Sequence, residues 1–113
     1  MEVLFAKGTS KAAFPIKLIY IKRDSPSDSL VKAMFVVPKR NFKRANERNK
    51  LKRRMKEVYR TSKEGLYDSL RSKEIYLELA FLYVGKEAES YLTIHEKLTK
   101  LLSFLTEEIN LRK

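Results

Sequence analysis

The sequence predicts an α/β fold in a single domain, residues 1–113, on three observations. Three apolar runs have the length and composition of strands, and two other segments repeat their apolar residues at helical spacing. No linker, internal repeat or low-complexity tract divides the chain. A length of 113 residues with 43% hydrophobic content suits one modest core and argues against wholesale disorder.

In chain order, the run from Phe14 to Arg23 is apolar and partly alternating, and Pro15 is tolerated at the first positions of a strand. Asp24-Ser25-Pro26-Ser27-Asp28-Ser29 has turn composition, and Leu30 to Val37 forms a second strand closed by Pro38. These two strands are expected to pair as an antiparallel hairpin with a polar loop. From about Asn46 to Thr61, Leu51, Met55, Val58 and Tyr59 fall on one narrow helical face, with Asn46 or a neighbour as the cap. Ile75 to Val84, rich in Tyr, Leu and Phe and ended by Gly85, has the character of a central strand. In Tyr91 to Leu111, Ile94, Leu98, Leu101, Leu102, Leu105 and Ile109 make one face of an amphipathic helix.

Charge is the unusual quantity. The chain holds 25 Lys and Arg against 14 Asp and Glu, a net charge of +11. Between Lys39 and Arg60 stand eleven basic residues and two acidic ones, Glu47 and Glu57, so this segment carries +9 of the excess. On the helix, Asn49, Arg53, Lys56 and Arg60 lie opposite the apolar face, flanked by Lys50, Lys52 and Arg54. Like charges at i, i+4 destabilise an isolated helix by roughly 0.2–0.5 kcal/mol per pair. A polyanionic partner supplies a reason for gathering them, because each neutralised phosphate releases a condensed counterion. A solvated helix face is the weaker alternative at this charge density. Just before the helix, Lys39, Arg40, Lys43 and Arg44 surround Asn41 and Phe42. Phe42 has two readings, a ring that stacks on a base or a plug in the core beneath the loop.

Other chemistries find little support. The chain has no cysteine, which removes disulfides, thiolate metal sites and a cysteine nucleophile. No apolar run approaches the ~20 residues that span a bilayer, and a cytoplasmic location without membrane contact is expected. His95, the only histidine, lies beside the apolar face of the last helix as a boundary residue. Glu87, Glu89 and Glu96 read as scattered surface residues rather than a convergent group that could hold metal ions for a nuclease. No catalytic residue and no protein-bound metal is assigned.

Arg48-Asn49-Lys50-Leu51-Lys52-Arg53-Arg54-Met55-Lys56 resembles the arginine-rich signature of the bacterial ribonuclease P protein family. Arg48, Asn49, Lys52 and Arg53 match it directly. Lys50 and Lys56 stand where the family often has arginine, which exchanges a bidentate fork for a point charge. Arg54 occupies a position that is frequently apolar. Phe5-Ala6-Lys7-Gly8-Thr9-Ser10 is similar to the family's Phe-x-x-Gly segment, and Val36-Val37-Pro38-Lys39-Arg40 to its strand end and basic pair. The family's longer N-terminal helix is reduced to Met1 to Leu4. Its glycine between basic pair and signature is replaced by Asn41-Phe42-Lys43-Arg44, with a one-residue insertion.

The resemblance implies a two-layer sandwich with a central mixed sheet of about four strands, similar to domain 2 of ribosomal protein S5. It also implies a left-handed β-α-β crossover carrying the basic helix, against the usual right-handed rule. The implied role is that of an RNA-binding subunit, one protein per catalytic ribonuclease P RNA. The RNA, with Mg2+ held mainly by the RNA itself, removes the 5′ leader of precursor tRNA, and the protein guides that single-stranded leader. Implied RNA contacts are Arg48, Asn49, Lys50, Lys52, Arg53 and Lys56, beside the charge-based candidates Lys39, Arg40, Lys43, Arg44 and Arg60. Phe5 and Tyr20 are implied to line the leader cleft, with core packing as the alternative for both. Two rival classes stay open: a structural ribosomal protein, and a DNA-binding regulator, for which no helix-turn-helix or zipper pattern is visible.

Overall fold

The computed structural model describes residues 8–23 and 30–111. Its described elements are β1 (Thr9–Ala13), β2 (Ile16–Arg23), β3 (Val31–Val36), α1 (Ala45–Ser62), α2 (Glu64–Lys73), β4 (Tyr76–Tyr83) and α3 (Tyr91–Leu111). The fold is α+β, with a four-stranded mixed sheet in the order β1-β2-β4-β3.

Strand composition explains that order. β4 buries Leu77, Leu79, Phe81 and Tyr83 on one face and Ala80 at the middle of the other, so it takes an interior place. β1 is polar and mostly exposed, as an edge strand tolerates. β2 pairs antiparallel with β1 through the two-residue turn Phe14-Pro15, whose peptide bond is cis, and antiparallel with β4 on its other side. The expected hairpin of the second and third strands does not form. β4 lies between them, and β3 pairs with β4 in parallel. Parallel neighbours need a long crossover, supplied here by α1 and α2.

The three helices pack on one face of the sheet. Alternate residues of the strands, Ile16, Leu18 and Tyr20 of β2 and Leu77, Leu79, Phe81 and Tyr83 of β4, join the buried residues of all three helices in one core. α3 buries the six residues its periodicity predicts, and α1 buries Leu51, Met55, Val58 and Tyr59. On the opposite face Ile19 and Ala80 form a small separate cluster with Ile21 and Met34.

The ends of the helices differ from expectation. Arg44, not Asn46, is the N-cap residue of α1, and it makes no side-chain capping bond. α2 had no counterpart among the predicted elements. It stops at Glu74, a non-glycine residue at φ 55°, where the Glu74 N–H donates to Arg71 O and the Ile75 N–H to Leu70 O at 3.0 Å. That pair of bonds is the Schellman arrangement.

Candidate nucleic-acid interface

Three segments meet at one end of the sheet. Ile16 faces Tyr83 and Val36 faces Leu82, so the Phe14-Pro15 turn, the loop after β3 and the loop after β4 emerge side by side. α1 begins there as well.

The loop after β3 is folded tightly. The N–H groups of Asn41 and Phe42 donate to Pro38 O at 3.2 and 3.3 Å, turning the chain so that Phe42 points inward. Phe42 is 5% exposed and meets Tyr83 edge-on at 5.7 Å. Of its two readings, the core plug is the one the structure shows. Arg48 holds the same loop from below, donating through Nη1 to Phe42 O at 2.7 Å and Lys43 O at 3.0 Å. Lys39, Arg40, Lys43 and Arg44 are left exposed around it.

Along α1, Asn49, Lys52, Arg53 and Lys56 line one shallow depression of about 430 Å³ on the face away from the core. Asn49, Arg53 and Lys56 are exposed and Lys52 is half-buried. Among the described residues no ion pair engages Lys50, Lys52, Arg53 or Lys56. Lys50 is exposed on a flank, roughly 100° around the helix axis from Asn49. Arg60 continues the face but is held by Glu57 at 2.6 Å, which raises the guanidinium pKa and lowers that of the Glu57 carboxyl. Arg54 leaves the cationic face altogether: its Nη1 donates to Glu89 O at 2.9 Å and fastens the loop after β4 to α1.

That loop is tied down at several points. The Tyr83 hydroxyl donates to Glu87 O at 2.7 Å and accepts the Glu89 N–H at 2.9 Å, and burial pushes its pKa upward. The loop brings in a cation missing from the sequence-based candidates, Lys86, which shares a depression of about 540 Å³ with Arg40, Asn41 and Val84. A lysine following Gly85 has no signature of its own, and only the sheet topology carries it to Arg40.

Of the two cleft candidates, Phe5 lies outside the described residues. Tyr20 sits on the helix-bearing face within the core and is 4% exposed. It also lines a depression of about 220 Å³ with Thr9, Lys22, Ile75 and Ile109. Its neighbours Ile19 and Ile21 are the β2 residues that face the other way. His95 is exposed, with its ring 6.1 Å from that of Tyr91. Among the described residues no group of three or more His, Cys, Asp or Glu is placed to hold a metal ion. No described helix is long and apolar enough to cross a membrane.

Comparison with known proteins bears on what this surface serves. The sequence model of the family Ribonuclease P matches residues 2–105. The chain belongs to the ribonuclease P protein component family. The Ribonuclease P protein component of Chlorobium phaeobacteroides is 35% identical over 112 residues, covering 90% of this chain and 77% of that protein. Its counterpart in Porphyromonas gingivalis is 31% identical over 103 residues, covering 90% and 74%. The fold matches the RNase P protein from Thermotoga maritima with a TM-score of 0.71 at 22% identity, covering 91% of this chain and 88% of that one. The Staphylococcus aureus RNase P protein gives 0.69 at 17% identity, covering 91% and 85%. Ribonuclease P family membership implies association with an RNase P RNA and a role in 5′ processing of tRNA as part of a ribonucleoprotein enzyme.

Proposed function

We propose that the chain acts as the RNA-binding, non-catalytic subunit of ribonuclease P, one copy per catalytic RNA. In this reading it binds that RNA through Arg40, Lys43, Arg44 and the α1 face, and it holds the single-stranded 5′ leader of precursor tRNA during cleavage. The observation that carries the proposal is the row Asn49, Lys52, Arg53 and Lys56, turned outward on a rigid helix and unengaged by any described carboxylate. Leaving these cations unneutralised costs stability, and a polyphosphate partner recovers that cost through counterion release.

Hydrolysis in this reading takes place on the RNA with Mg2+ that the RNA holds, and the protein contributes placement and positive charge. Arg48 has a second duty, since its guanidinium already shapes the loop that presents Lys39, Arg40 and Lys43. The proposal further includes a single domain over residues 1–113, a cytoplasmic location, a left-handed sense for the β3-α1-α2-β4 crossover, and kinship with domain 2 of ribosomal protein S5. Phe5 belongs to the proposed leader contacts by resemblance.

The test is substrate discrimination by the assembled particle. Adding the protein to a cognate ribonuclease P RNA should raise affinity for precursor tRNA well above that for mature tRNA. Equal affinities for the two would remove the leader from the protein's role, and failure to bind the RNA would remove the subunit reading itself.

A further inference from the structure

Phe14 is a large apolar side chain left in solvent at the basic end of the sheet. It is 67% exposed at the tip of the β1–β2 turn, although a core lies immediately behind it. The turn that presents it is fixed in place. The Val84 N–H donates to Pro15 O at 2.8 Å, and a Cβ at Gly85 would come within 2.9 Å of Pro15 Cβ, so the two loops touch backbone to ring. An exposed aromatic ring on an anchored turn can bind a flat partner with little loss of freedom on binding.

Its surroundings are chemically divided. Phe14, Val84, Gly85, Lys86, Glu87 and Glu89 line a depression of about 360 Å³. Val84 and Lys86 also line the neighbouring depression with Arg40 and Asn41, so the two are contiguous. Glu87 and Glu89 disfavour a phosphate beside Phe14, whereas Arg40 and Lys86 favour one on the adjoining side. Asn41 adds an amide that can both donate to and accept from a base edge or a ribose.

We propose that Phe14, Arg40, Asn41 and Lys86 form a subsite for one unpaired ribonucleotide, with the base stacked on Phe14 and its phosphate held between Arg40 and Lys86. This deepens the RNA-binding reading above and rests on it. The unpaired nucleotide can come from the leader or from the catalytic RNA, which offer the same chemistry. Stacking on an aromatic ring tolerates any base, so the subsite adds affinity without strong sequence preference.

The experiment uses the lack of tryptophan in this chain. Phe14→Trp introduces a single indole at the turn, and base stacking quenches its fluorescence. A short unstructured ribooligonucleotide should quench it, while inorganic polyphosphate should bind by charge and leave the emission unchanged. In the assembled particle, quenching by the catalytic RNA alone assigns the nucleotide to that RNA, and quenching only on adding precursor tRNA assigns it to the leader. Phe14→Ala should weaken binding of the same oligonucleotide roughly ten-fold, the scale of one aromatic stacking contact, and Phe14→Tyr should restore it. Binding of the oligonucleotide to Phe14→Trp without quenching, together with unchanged affinity in Phe14→Ala, would overturn the subsite but leave the RNA-binding reading standing. Absence of any RNA binding by the unsubstituted protein would overturn both.

Discussion

Two arginines five positions apart on α1 serve different purposes. Arg48 spends its guanidinium on the carbonyls of Phe42 and Lys43, whereas Arg53 stands in the outer depression with no described partner. Arg48→Ala should therefore lower folding stability by about 1.5–3 kcal/mol, the range for a hydrogen bond from a charged group, as read by urea unfolding. Arg53→Ala should leave urea unfolding nearly unchanged. Its effect belongs to RNA binding, where the slope of log affinity against log salt should fall by about one phosphate contact. A full salt slope in Arg53→Ala would remove that side chain from the interface. Both residues belong to one basic run in the sequence, and nothing in the run separates the clamp from the contact. That distinction appears only once the loop folds back over the helix.

At the scale of elements, legibility followed how much of its own burial each segment carries. α3 was readable to the residue because six apolar side chains at helical spacing define its buried face without reference to anything else. β4 was readable as a central strand for a similar reason. α2 escaped notice because its ten residues bury only Leu66 and Leu70, too short a pattern to stand apart. β1, polar and at the edge, carries almost no hydrophobic signal. Strands adjacent in sequence commonly pair, which suggests a β2–β3 hairpin, and nothing local announces that a strand forty residues later comes between them. The Phe42 ambiguity had the same origin, since its partner Tyr83 lies across the sheet. One element carries a prediction of its own. Glu74 closes α2 in the left-handed region at φ 55°, which costs a residue with a Cβ about 1 kcal/mol relative to glycine. Glu74→Gly should raise stability by up to about that amount in urea unfolding, and a loss of stability would mean that the Glu74 side chain contributes more than its backbone costs.

For the whole molecule, positive charge is gathered at one end of the sheet and apolar packing lies behind it. Two buried phenols hold the helices and the loop after β4 in that arrangement. Burial and a 2.8 Å bond to the Tyr67 hydroxyl push the pKa of Tyr59 upward, and burial does the same for Tyr83. A raised acid keeps its proton in the folded state at pH values where the unfolded chain ionises. The stabilisation is thus intact below the ordinary tyrosine value of about 10 and is lost as pH rises through and beyond it. Thermal unfolding should show stability falling above that pH, and Tyr59→Phe should flatten the fall. An equally steep fall in Tyr59→Phe would place the alkaline sensitivity elsewhere.

On the reading proposed above, this fold serves a catalytic RNA. The most direct measurement is precursor tRNA cleavage by the protein reconstituted with a cognate ribonuclease P RNA at near-physiological magnesium, beside each component alone. Stimulation that requires the RNA is expected, together with no cleavage by the protein alone. Cleavage by the protein alone, or a folded and RNA-bound protein that leaves the rate of the RNA unchanged, would contradict that reading.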